Sequence, residues 1–350
     1  MMNRNWRRNL SIATRHLQKN EPVLSNSSPT IITTNQFIRE EYQPPKHPVV
    51  LCHGFSGFDR LALIPKLDYS LLGKKESEVN KEILQNSNAL LEFEYWRGVQ
   101  VVLEELGTKV FIGKVPAFGN IKSRAINLDH FITKQCHVLQ NKNQSKEPIK
   151  VNLVSHSMGG LDSRYLISKI HNNNKIYKVM SLTTISTPHH GSECADFVVD
   201  LIGNNPILKA ICPTSIFEMT TENMKSFNSK VLDDPSVQYF SYGARFNPRW
   251  YNLFNFTWLI TKYQIQSKQK RVGSNQQLSD VFDNDGLVTV RSSMWGKYMG
   301  TFDEVDHLDL INWTNQARDA FDRVMFGRKP SFNAIALYLD ICNNLAKQGL

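Results

Sequence analysis

The stretch Ser155-His156-Ser157-Met158-Gly159 follows a short apolar segment and precedes a segment with helical spacing. A strand that turns sharply into a helix lifts the residue at the turn out of the sheet, and the residues two positions away must be small. Ser155 and Gly159 are both small, although the usual pattern G-x-S-x-G has a glycine at the first position. The stretch therefore predicts that Ser157 is a nucleophile on a strand-to-helix turn.

The segments on either side of this stretch support the turn. Upstream lies a mostly apolar run, as expected of a buried parallel strand. Its apolar members are Ile149, Val151, Leu153 and Val154. Downstream, the apolar residues at helical spacing are Leu161, Tyr165 and Leu166. A short motif alone arises by chance, but a strand before it and a helix after it make a merely structural serine the lesser alternative.

A serine hydroxyl is a poor nucleophile near neutral pH and needs a base, usually a histidine that a carboxylate orients. When the serine lies on such a turn, the acid and then the histidine follow it in the chain. Four histidines follow Ser157: His171, His189, His190 and His307. The first lies in or at the end of the next helix, and the adjacent pair lies in a turn with no acid-bearing loop before it. His307 is therefore the predicted base.

The sequence defines the acid less sharply. Asn284-Asp285-Gly286 is a turn sequence followed by an apolar segment, which favours Asp285. Asp283 is its main rival, and three further carboxylates lie close to His307 in the chain: Asp303, Glu304 and Asp306. For any one aspartate in an acidic loop, a solvated turn residue or a helix cap is the more common role. The residues alone leave this choice open.

An acyl-transfer site also needs N–H donors aimed at the developing oxyanion, and losing one costs about a hundredfold or more in rate. One donor is normally the N–H after the nucleophile, here Met158. The second comes from a loop after an early strand. We predict that strand at residues 49–52 and that loop at His53-Gly54-Phe55-Ser56-Gly57. Phe55 N–H is the candidate donor, and an ordinary tight turn is the alternative.

Several motifs occur in the order in which a known family has them. They are His53-Gly54-Phe55, Ser155 to Gly160, Ser186 to Ser192, Asn284-Asp285-Gly286 and His307-Leu308-Asp309. The chain thereby resembles the α/β-hydrolase triacylglycerol lipases, in particular the bacterial lipases of the Pseudomonas and Burkholderia type and their mitochondrial relatives in yeast. The resemblance covers about Pro48 to the C-terminal segment and includes Tyr95-Trp96-Arg97-Gly98.

This resemblance implies an α/β-hydrolase fold, in which helices flank a mostly parallel central sheet and a helical lid is inserted. It implies a single domain over residues 45–350. Carried over residue by residue, it implies Ser157 as nucleophile, Asp285 as acid and His307 as base, with Phe55 and Met158 as oxyanion donors.

The implied activity is hydrolysis of lipid esters, above all triacylglycerols, at a membrane or droplet surface and without a cofactor. A phospholipase or an acyltransferase would use the same triad. A catalytically silent hydrolase-fold protein that contacts membranes is the alternative from another class.

Bacterial members of the family hold a structural calcium ion, and the resemblance matches one of its ligands, two residues after the catalytic histidine, to Asp309. The second aspartate has no match, because no Asp or Glu occurs from Ala244 to Ser279. A hard cation wants several oxygen ligands, usually with more than one carboxylate. We therefore predict no metal site, with Asp309 as a weak candidate ligand.

The formal net charge is +9, and five of these charges lie in residues 1–20, which contain no acid. These basic residues are Arg4, Arg7, Arg8, Arg15 and Lys19. On a helical wheel they face away from an apolar side, which predicts a mitochondrial targeting segment over residues 1–30. A membrane-surface helix and a solvated tail are the alternatives. The rest of the chain is only mildly basic, so no nucleic-acid partner is expected.

The five cysteines are scattered and form no C-x-x-C pair, which argues for a reducing compartment and against a disulfide framework or a zinc site. No run of eighteen apolar residues occurs in the chain, so no transmembrane helix is predicted.

Two apolar segments are candidates for contact with lipid. Residues 193–230 match the position of a lipase lid, which would hide an acyl pocket in water and open at a lipid surface. A buried helix packed on the sheet is the alternative. Residues 250–260 form an aromatic cluster before the basic stretch 262–271, and we expect peripheral membrane contact there, although such runs are more often core.

Overall fold

A computed structural model describes residues 30–55, 60–62, 92–144, 146–171, 176–248, 252–272, 282–313 and 332–350. The predicted targeting segment lies outside these residues except for its last position. Trp250 and Tyr251 of the predicted aromatic cluster also lie outside them.

The described chain is built around a parallel sheet. Its strands are β1 (Ile31–Ile32), β2 (Val49–Cys52), β3 (Arg60–Ala62), β4 (Glu92–Glu94), β5 (Val110–Ile112), β6 (Ile149–His156), β7 (Tyr177–Ile185), β8 (Gln238–Arg245) and β9 (Lys297–Asp303). Seven of them form one sheet in the order β1-β9-β8-β7-β6-β2-β5, and β3 pairs with β4 in a separate antiparallel ribbon. Every neighbouring pair in the large sheet is parallel.

Strand β2 shows why both faces of this sheet are covered. All of its residues are buried, and their side chains alternate between the two faces, as the period of a strand requires. Val49 and Leu51 join one apolar cluster, whereas Val50 and Cys52 join the other. A strand that is apolar on both sides belongs in the middle of a parallel sheet with helices on each face.

The helices supply those two coverings. They are α1 (Val99–Glu105), α2 (Ile121–Asn143), α3 (Gly159–Tyr165), α4 (Glu193–Ile202), α5 (Pro206–Ile211), α6 (Thr214–Glu218), α7 (Thr221–Lys230), α8 (Asn255–Val272), α9 (Val290–Ser293) and α10 (Ala334–Lys347). Helices α1 and α10 share the apolar cluster of Val49, and α2 shares that of Val50. Among the described helices, none is both long and apolar enough to span a lipid bilayer.

Four of these helices, α4 to α7, fill the connection between β7 and β8. Three of the four begin at a polar residue whose side chain accepts a backbone N–H, which satisfies groups that the first turn leaves unpaired. The capping residues are Ser192, Asn205 and Thr220. The predicted helical insertion and the predicted α/β sheet with flanking helices are therefore confirmed.

The parallel arrangement brings the predicted site to one place. The carboxyl ends of parallel strands lie at the same edge of a sheet, where ligands bind in open α/β sheets. Ser157 directly follows β6 and Phe55 lies in the loop after β2. Asp285 and His307 lie in the segments after β8 and β9. Residues far apart in sequence thus meet at this edge.

Candidate active site

Ser157 lies where β6 turns into α3, and its backbone φ is 55°. Residues with a side chain rarely adopt this left-handed conformation. Two hydrogen bonds from the neighbouring strand region stabilise it. The Ser157 N–H donates to the Ile185 carbonyl at 2.9 Å, and the Thr187 hydroxyl donates to the Ser157 carbonyl at 2.7 Å. The sharp turn predicted from the sequence is therefore present and is tied to β7.

Two glycines allow the chain to pack closely around this turn. A Cβ atom on Gly159 would lie 2.5 Å from the Cys52 carbonyl oxygen, and one on Gly54 would lie 2.7 Å from the Ser157 Cβ. Such separations are too short for carbon atoms, so a larger residue at either position would displace the backbone. The loop after β2 and the turn after β6 therefore lie directly against each other.

Ser155, which departs from the usual motif, has a specific partner. Its hydroxyl oxygen lies 2.8 Å from that of Ser163 on α3, and both residues are fully buried. A buried hydroxyl without a hydrogen bond costs about 1–3 kcal/mol. Because one hydroxyl donates to the other, the polar oxygen that Ser155 adds to the motif has a partner between strand and helix.

The structure joins the predicted base and acid directly. His307 Nδ1 lies 2.7 Å from Asp285 Oδ2, and both side chains are buried. The other carboxylate oxygen of Asp285 accepts the N–H groups of Leu287 and Val288, at 3.0 and 2.8 Å. A carboxylate only accepts hydrogen bonds, so in the neutral ring of His307 the proton is on Nδ1 and Nε2 keeps its lone pair. The imidazole is thus in the tautomer that a general base needs.

The rival carboxylates are engaged elsewhere. Asp283 and Asp303 both bind Arg245, at 2.6 and 2.8 Å. Asp306 Oδ1 accepts backbone N–H groups within its own turn. Glu304 accepts the side-chain amide of Asn247. The arrangement therefore singles out Asp285 from the candidates between which the sequence could not decide.

His189, another candidate base, lies in the core instead. Its Nδ1 lies 3.4 Å from a guanidinium nitrogen of Arg164, and its Nε2 lies 3.0 Å from the Thr184 hydroxyl. Its ring stacks on Trp295. Burial and the neighbouring Arg164 charge lower its pKa well below the usual value, so it remains neutral. These contacts give His189 a structural role.

The segment that carries Ser157 approaches the His307–Asp285 pair through the residue before the serine. The ring of His156, which directly precedes the serine, lies 4.5 Å from the ring of His307 between centroids. Among the described residues, no hydrogen bond joins Ser157 to His307. In structures without substrate such contacts are often long and shorten when substrate binds.

A buried guanidinium holds the loop that carries Phe55. Arg124 is fully buried, and its Nη2 donates to the carbonyls of His53 and Gly54 at 2.8 and 3.1 Å. In a trans peptide the C=O and N–H point in opposite directions. Because Arg124 binds the Gly54 carbonyl, it turns the Phe55 N–H the other way. Among the described residues, the N–H groups of Phe55 and Met158 donate to no partner.

The charge of Arg124 is balanced by Asp162, whose carboxylate lies 2.8 Å away. Burial raises the pKa of Asp162 to about 6, and the attraction of Arg124 opposes this rise. Burial and Arg124 also lower the pKa of His53 to about 3, so this ring stays neutral near physiological pH. His53 accepts the Val115 N–H and donates to the Gly54 carbonyl.

Sequence reasoning missed Arg124, although a signal was present. Arg124 lies on the buried stripe of α2, between residues at helical spacing that pack in the core. These neighbours are Ile121, Ala125 and Leu128. A charged residue on a core stripe is almost never fully buried without a partner, so its position indicated a buried polar network.

Asp309, the weak candidate for a calcium ligand, is used locally. Its Oδ2 accepts the N–H of Asp306 at 3.1 Å, which closes the turn that carries His307. Across the described parts of the chain, no group of three or more His, Cys, Asp or Glu side chains is placed to hold a metal ion.

Comparison with known proteins assigns this chain to a family. A family model described as "Putative serine esterase (DUF676)" matches residues 117–253. Triacylglycerol lipase 2 of Saccharomyces cerevisiae is 40% identical, over 93% of this chain and 98% of its own length. The chain belongs to the triacylglycerol lipase family. The lipase is therefore a carboxylic ester hydrolase, which excludes the catalytically silent alternative.

More distant relatives of the lipase agree with this assignment. A triacylglycerol lipase of Pseudomonas fragi is 24% identical, over 87% of this chain and 98% of its own length. The crystal structure of Staphylococcus hyicus lipase matches with a TM-score of 0.52 and 17% identity, over 89% of this chain and 98% of that one. The second match shows a shared fold, and the predicted α/β-hydrolase fold is confirmed.

We expect Ser155→Gly to affect the stability of the lipase more than its activity. The substitution restores the usual motif but leaves the Ser163 hydroxyl without its partner, which should lower the free energy of unfolding by about 1–2 kcal/mol. Because a glycine is sterically accepted there, kcat on a soluble ester should change less than about threefold. Denaturant unfolding and an esterase assay measure both effects.

The matched control is Ser155→Gly in a Ser163→Ala background, where no hydrogen bond is left to lose. The destabilisation should shrink there if the pair is coupled. A large loss of kcat in Ser155→Gly would instead show that the Ser155 hydroxyl contributes to the chemistry.

Proposed function

We propose that this lipase hydrolyses triacylglycerols through an acyl-enzyme on Ser157, with His307 as base and Asp285 as acid. The observation that carries the proposal is the 2.7 Å contact between His307 and Asp285, at the sheet edge where Ser157 stands on its turn. The substrate class is carried over from the yeast relative, whose name is triacylglycerol lipase.

The first half-reaction forms the acyl-enzyme. The Ser157 oxygen attacks the ester carbonyl carbon while its proton passes to His307 Nε2. The carbonyl oxygen becomes an oxyanion and accepts hydrogen bonds from the Phe55 and Met158 N–H groups. The bond from carbon to the alcohol oxygen then breaks, and His307 returns its proton to the leaving alcohol.

Water reverses these steps in the second half-reaction. It gives a proton to His307 and attacks the acyl carbon, and the fatty acid leaves as the Ser157 oxygen regains its proton. Asp285 stabilises the imidazolium that forms in each half and holds the ring in one tautomer. The two backbone N–H groups that its second oxygen accepts keep that carboxylate in place.

The helical insertion has the position of a lid in this proposal. Met224 of α7 belongs to the same buried cluster as Met158 and Leu161 of the turn and α3, and Phe55 packs against that cluster. Ser157 is only 9% exposed. An ester carbonyl must reach the Ser157 oxygen, and both Ser157 and Met224 of the insertion are buried, so we infer that the insertion moves when substrate enters.

Helix α4 of the insertion runs antiparallel to α8. Lys268 of α8 binds Asp196 of α4. Gln264, four residues earlier on α8, donates to Asp200, four residues later on α4. Continuing the same pairing brings Leu201, at the end of α4, next to the first half of α8. The exposed apolar residues of this region lie on the end of α4, on α5, which follows it in the chain, and on α8 and the turn before it.

We call these residues the interfacial surface: Leu201, Ile207, Leu208, Ile211, Leu253, Phe256, Leu259 and Tyr263. Large apolar patches on a protein surface mark contacts with membranes, proteins or ligands. Phe256 is 70% exposed and Leu253 is 60% exposed, so this part of the predicted aromatic cluster is not core. We propose that the interfacial surface rests on the lipid phase that supplies the substrate.

The catalytic proposal is tested by three substitutions in the purified enzyme. Ser157→Ala should lower kcat by about a millionfold and abolish covalent labelling by an organophosphonate, because no nucleophile remains. Asp285→Asn should lower kcat by about ten-thousandfold, since the imidazole loses its tautomer and its counter-charge. Asp283→Asn is the matched control and should stay within about tenfold of the wild type.

Retained labelling in Ser157→Ala would refute the nucleophile, and equal losses in Asp283→Asn and Asp285→Asn would refute the acid. Products from a triglyceride, a phospholipid and an alcohol acceptor identify the substrate. Faster release of fatty acid from the phospholipid, or acyl transfer to the alcohol in preference to water, would overturn the triacylglycerol assignment.

We expect Phe256→Asp to weaken binding to a triglyceride emulsion and to lower hydrolysis of emulsified substrate by about tenfold, because a charge replaces buried apolar area at the lipid boundary. Hydrolysis of a soluble short-chain ester should stay unchanged. Val138→Asp is the control, since Val138 is also exposed, at 60%, but lies on α2. Equal effects of the two substitutions would contradict the role of the interfacial surface.

We also propose that residues 1–30 direct the lipase to mitochondria, on the strength of their five basic and no acidic residues within the first twenty. Residues 1–30 fused to a fluorescent protein should be imported by isolated mitochondria in a potential-dependent way. The same fusion with Arg7→Glu and Arg8→Glu should remain outside. Membrane binding of the fusion without import would favour a surface helix instead.

A further inference from the structure

We propose that Tyr95 is a positioning residue, which acts through His156 to couple the loop of Phe55 to the base His307. The proposal rests on the triad proposed above. Tyr95 belongs to the turn between β4 and α1 and is 2% exposed. It does not contact the reacting atoms, and its hydroxyl lies between a loop peptide and a histidine ring.

The hydroxyl of Tyr95 makes two short hydrogen bonds. It lies 2.8 Å from the Gly54 N–H and 2.7 Å from His156 Nδ1. On the far side of the ring, His156 Nε2 lies 3.1 Å from the carbonyl oxygen of His307. Gly54, Tyr95, His156 and His307 therefore form one continuous chain of hydrogen bonds through the interior.

Each bond in this chain has only one direction that satisfies both ends. The His307 carbonyl can only accept, so His156 Nε2 carries a proton. A neutral imidazole has one N–H, which leaves Nδ1 as an acceptor for the Tyr95 O–H. The Tyr95 oxygen in turn accepts the Gly54 N–H. The tyrosine hydroxyl thus selects the tautomer of His156 that binds His307.

His156 must remain neutral for this arrangement to assist catalysis. Burial, and to a smaller extent the nearby His307, lower the pKa of His156 well below its usual value. The Asp285 carboxylate binds the ring of His307, whereas both ring nitrogens of His156 bind neutral groups, the Tyr95 hydroxyl and the His307 carbonyl. Because the two rings lie 4.5 Å apart, a charge on His156 would oppose the charge that forms on His307 during the reaction.

This chain of hydrogen bonds positions two catalytic groups, the Phe55 N–H and the His307 imidazole. Gly54 is held on one side by Tyr95 at its N–H and on the other by Arg124 at its carbonyl. These two contacts orient the peptide that carries the Phe55 N–H. At the other end, the contact from His156 fixes the backbone of His307, whose imidazole packs on the His156 ring. Displacement of such groups by about 1 Å can lower a rate by about a hundredfold.

The direct test is Tyr95→Phe, which removes one oxygen and keeps the ring contacts with Trp96 and His53. We expect kcat on a soluble ester to fall about 10- to 100-fold, with KM changing less than about threefold. The rate of phosphonate labelling should fall in parallel. Tyr42→Phe is the matched control, because the Tyr42 hydroxyl also accepts one N–H and donates to one carbonyl.

A double-mutant cycle tests whether Tyr95 acts through His156. In a His156→Gln background, Tyr95→Phe should lower kcat by a smaller factor than it does in the wild type. Equal factors in both backgrounds would refute the coupling. A Tyr95→Phe enzyme with kcat within about twofold of the wild type would refute the positioning role.

A second measurement needs no substitution at Tyr95. In the wild-type protein labelled with ¹⁵N-histidine, the spectrum should show His156 as the neutral Nε2–H tautomer between about pH 5 and pH 9. The Nδ1–H tautomer, or a protonated ring in this range, would overturn the proposal even if Tyr95→Phe did not fold. The His156 signal is identified as the one that is absent from the spectrum of the His156→Gln variant.

These outcomes are distinct from failure of the proposed function. If Ser157→Ala and Asp285→Asn retain activity, the triad itself is wrong. If both lose activity while Tyr95→Phe behaves like Tyr42→Phe, the triad stands and only the positioning role is refuted.

Discussion

The left-handed backbone of Ser157 is the constraint on which the site depends. Such a conformation costs about 1–3 kcal/mol and persists only where the surroundings determine it. Here the bonds to Ile185 and from Thr187 stabilise it, and the close approach of Gly54 leaves the turn no space to relax. A turn of this kind needs a strand on each side, which explains why β6 is an inner strand, between β2 and β7.

A second constraint is the buried positive charge of Arg124. An ion in the core is strongly destabilising unless its charge and its donors are all matched. Arg124 meets this requirement with the Asp162 carboxylate and with carbonyl oxygens from two loops. The same contacts that make the charge tolerable also determine which way the Gly54 peptide faces. Stability and site geometry therefore depend on one set of hydrogen bonds.

The sequence predicted the parts of the site that depend on local pattern or on chain order. The strand-to-helix turn at Ser157 is visible as apolar spacing, and order along the chain left His307 as the best base. Asp285 could not be separated from Asp283 by the residues alone, because the difference lies in Arg245, a partner on β8 that occupies Asp283. Asp285 was preferred to Asp283 on the basis of the resemblance to lipases.

Further features escaped prediction because they join residues distant in sequence. The hydrogen bond between Tyr95 and His156 spans 61 positions, and that between Arg124 and His53 spans 71. Hydrophobicity also does not indicate the direction a side chain faces. On α8, Ile265 is buried whereas Phe256 faces solvent, although both are apolar.

The hydroxyl pair of Ser155 and Ser163 has a consequence for recognising enzymes of this kind from sequence. A search that demands glycine at the first motif position passes over this chain. The partner serine lies eight residues later, on α3, so the two serines form one hydrogen-bonded unit. We expect S-x-S-x-G-x-x-x-S, with the last serine required, to identify nucleophile turns in which a buried hydroxyl pair takes the place of the missing glycine.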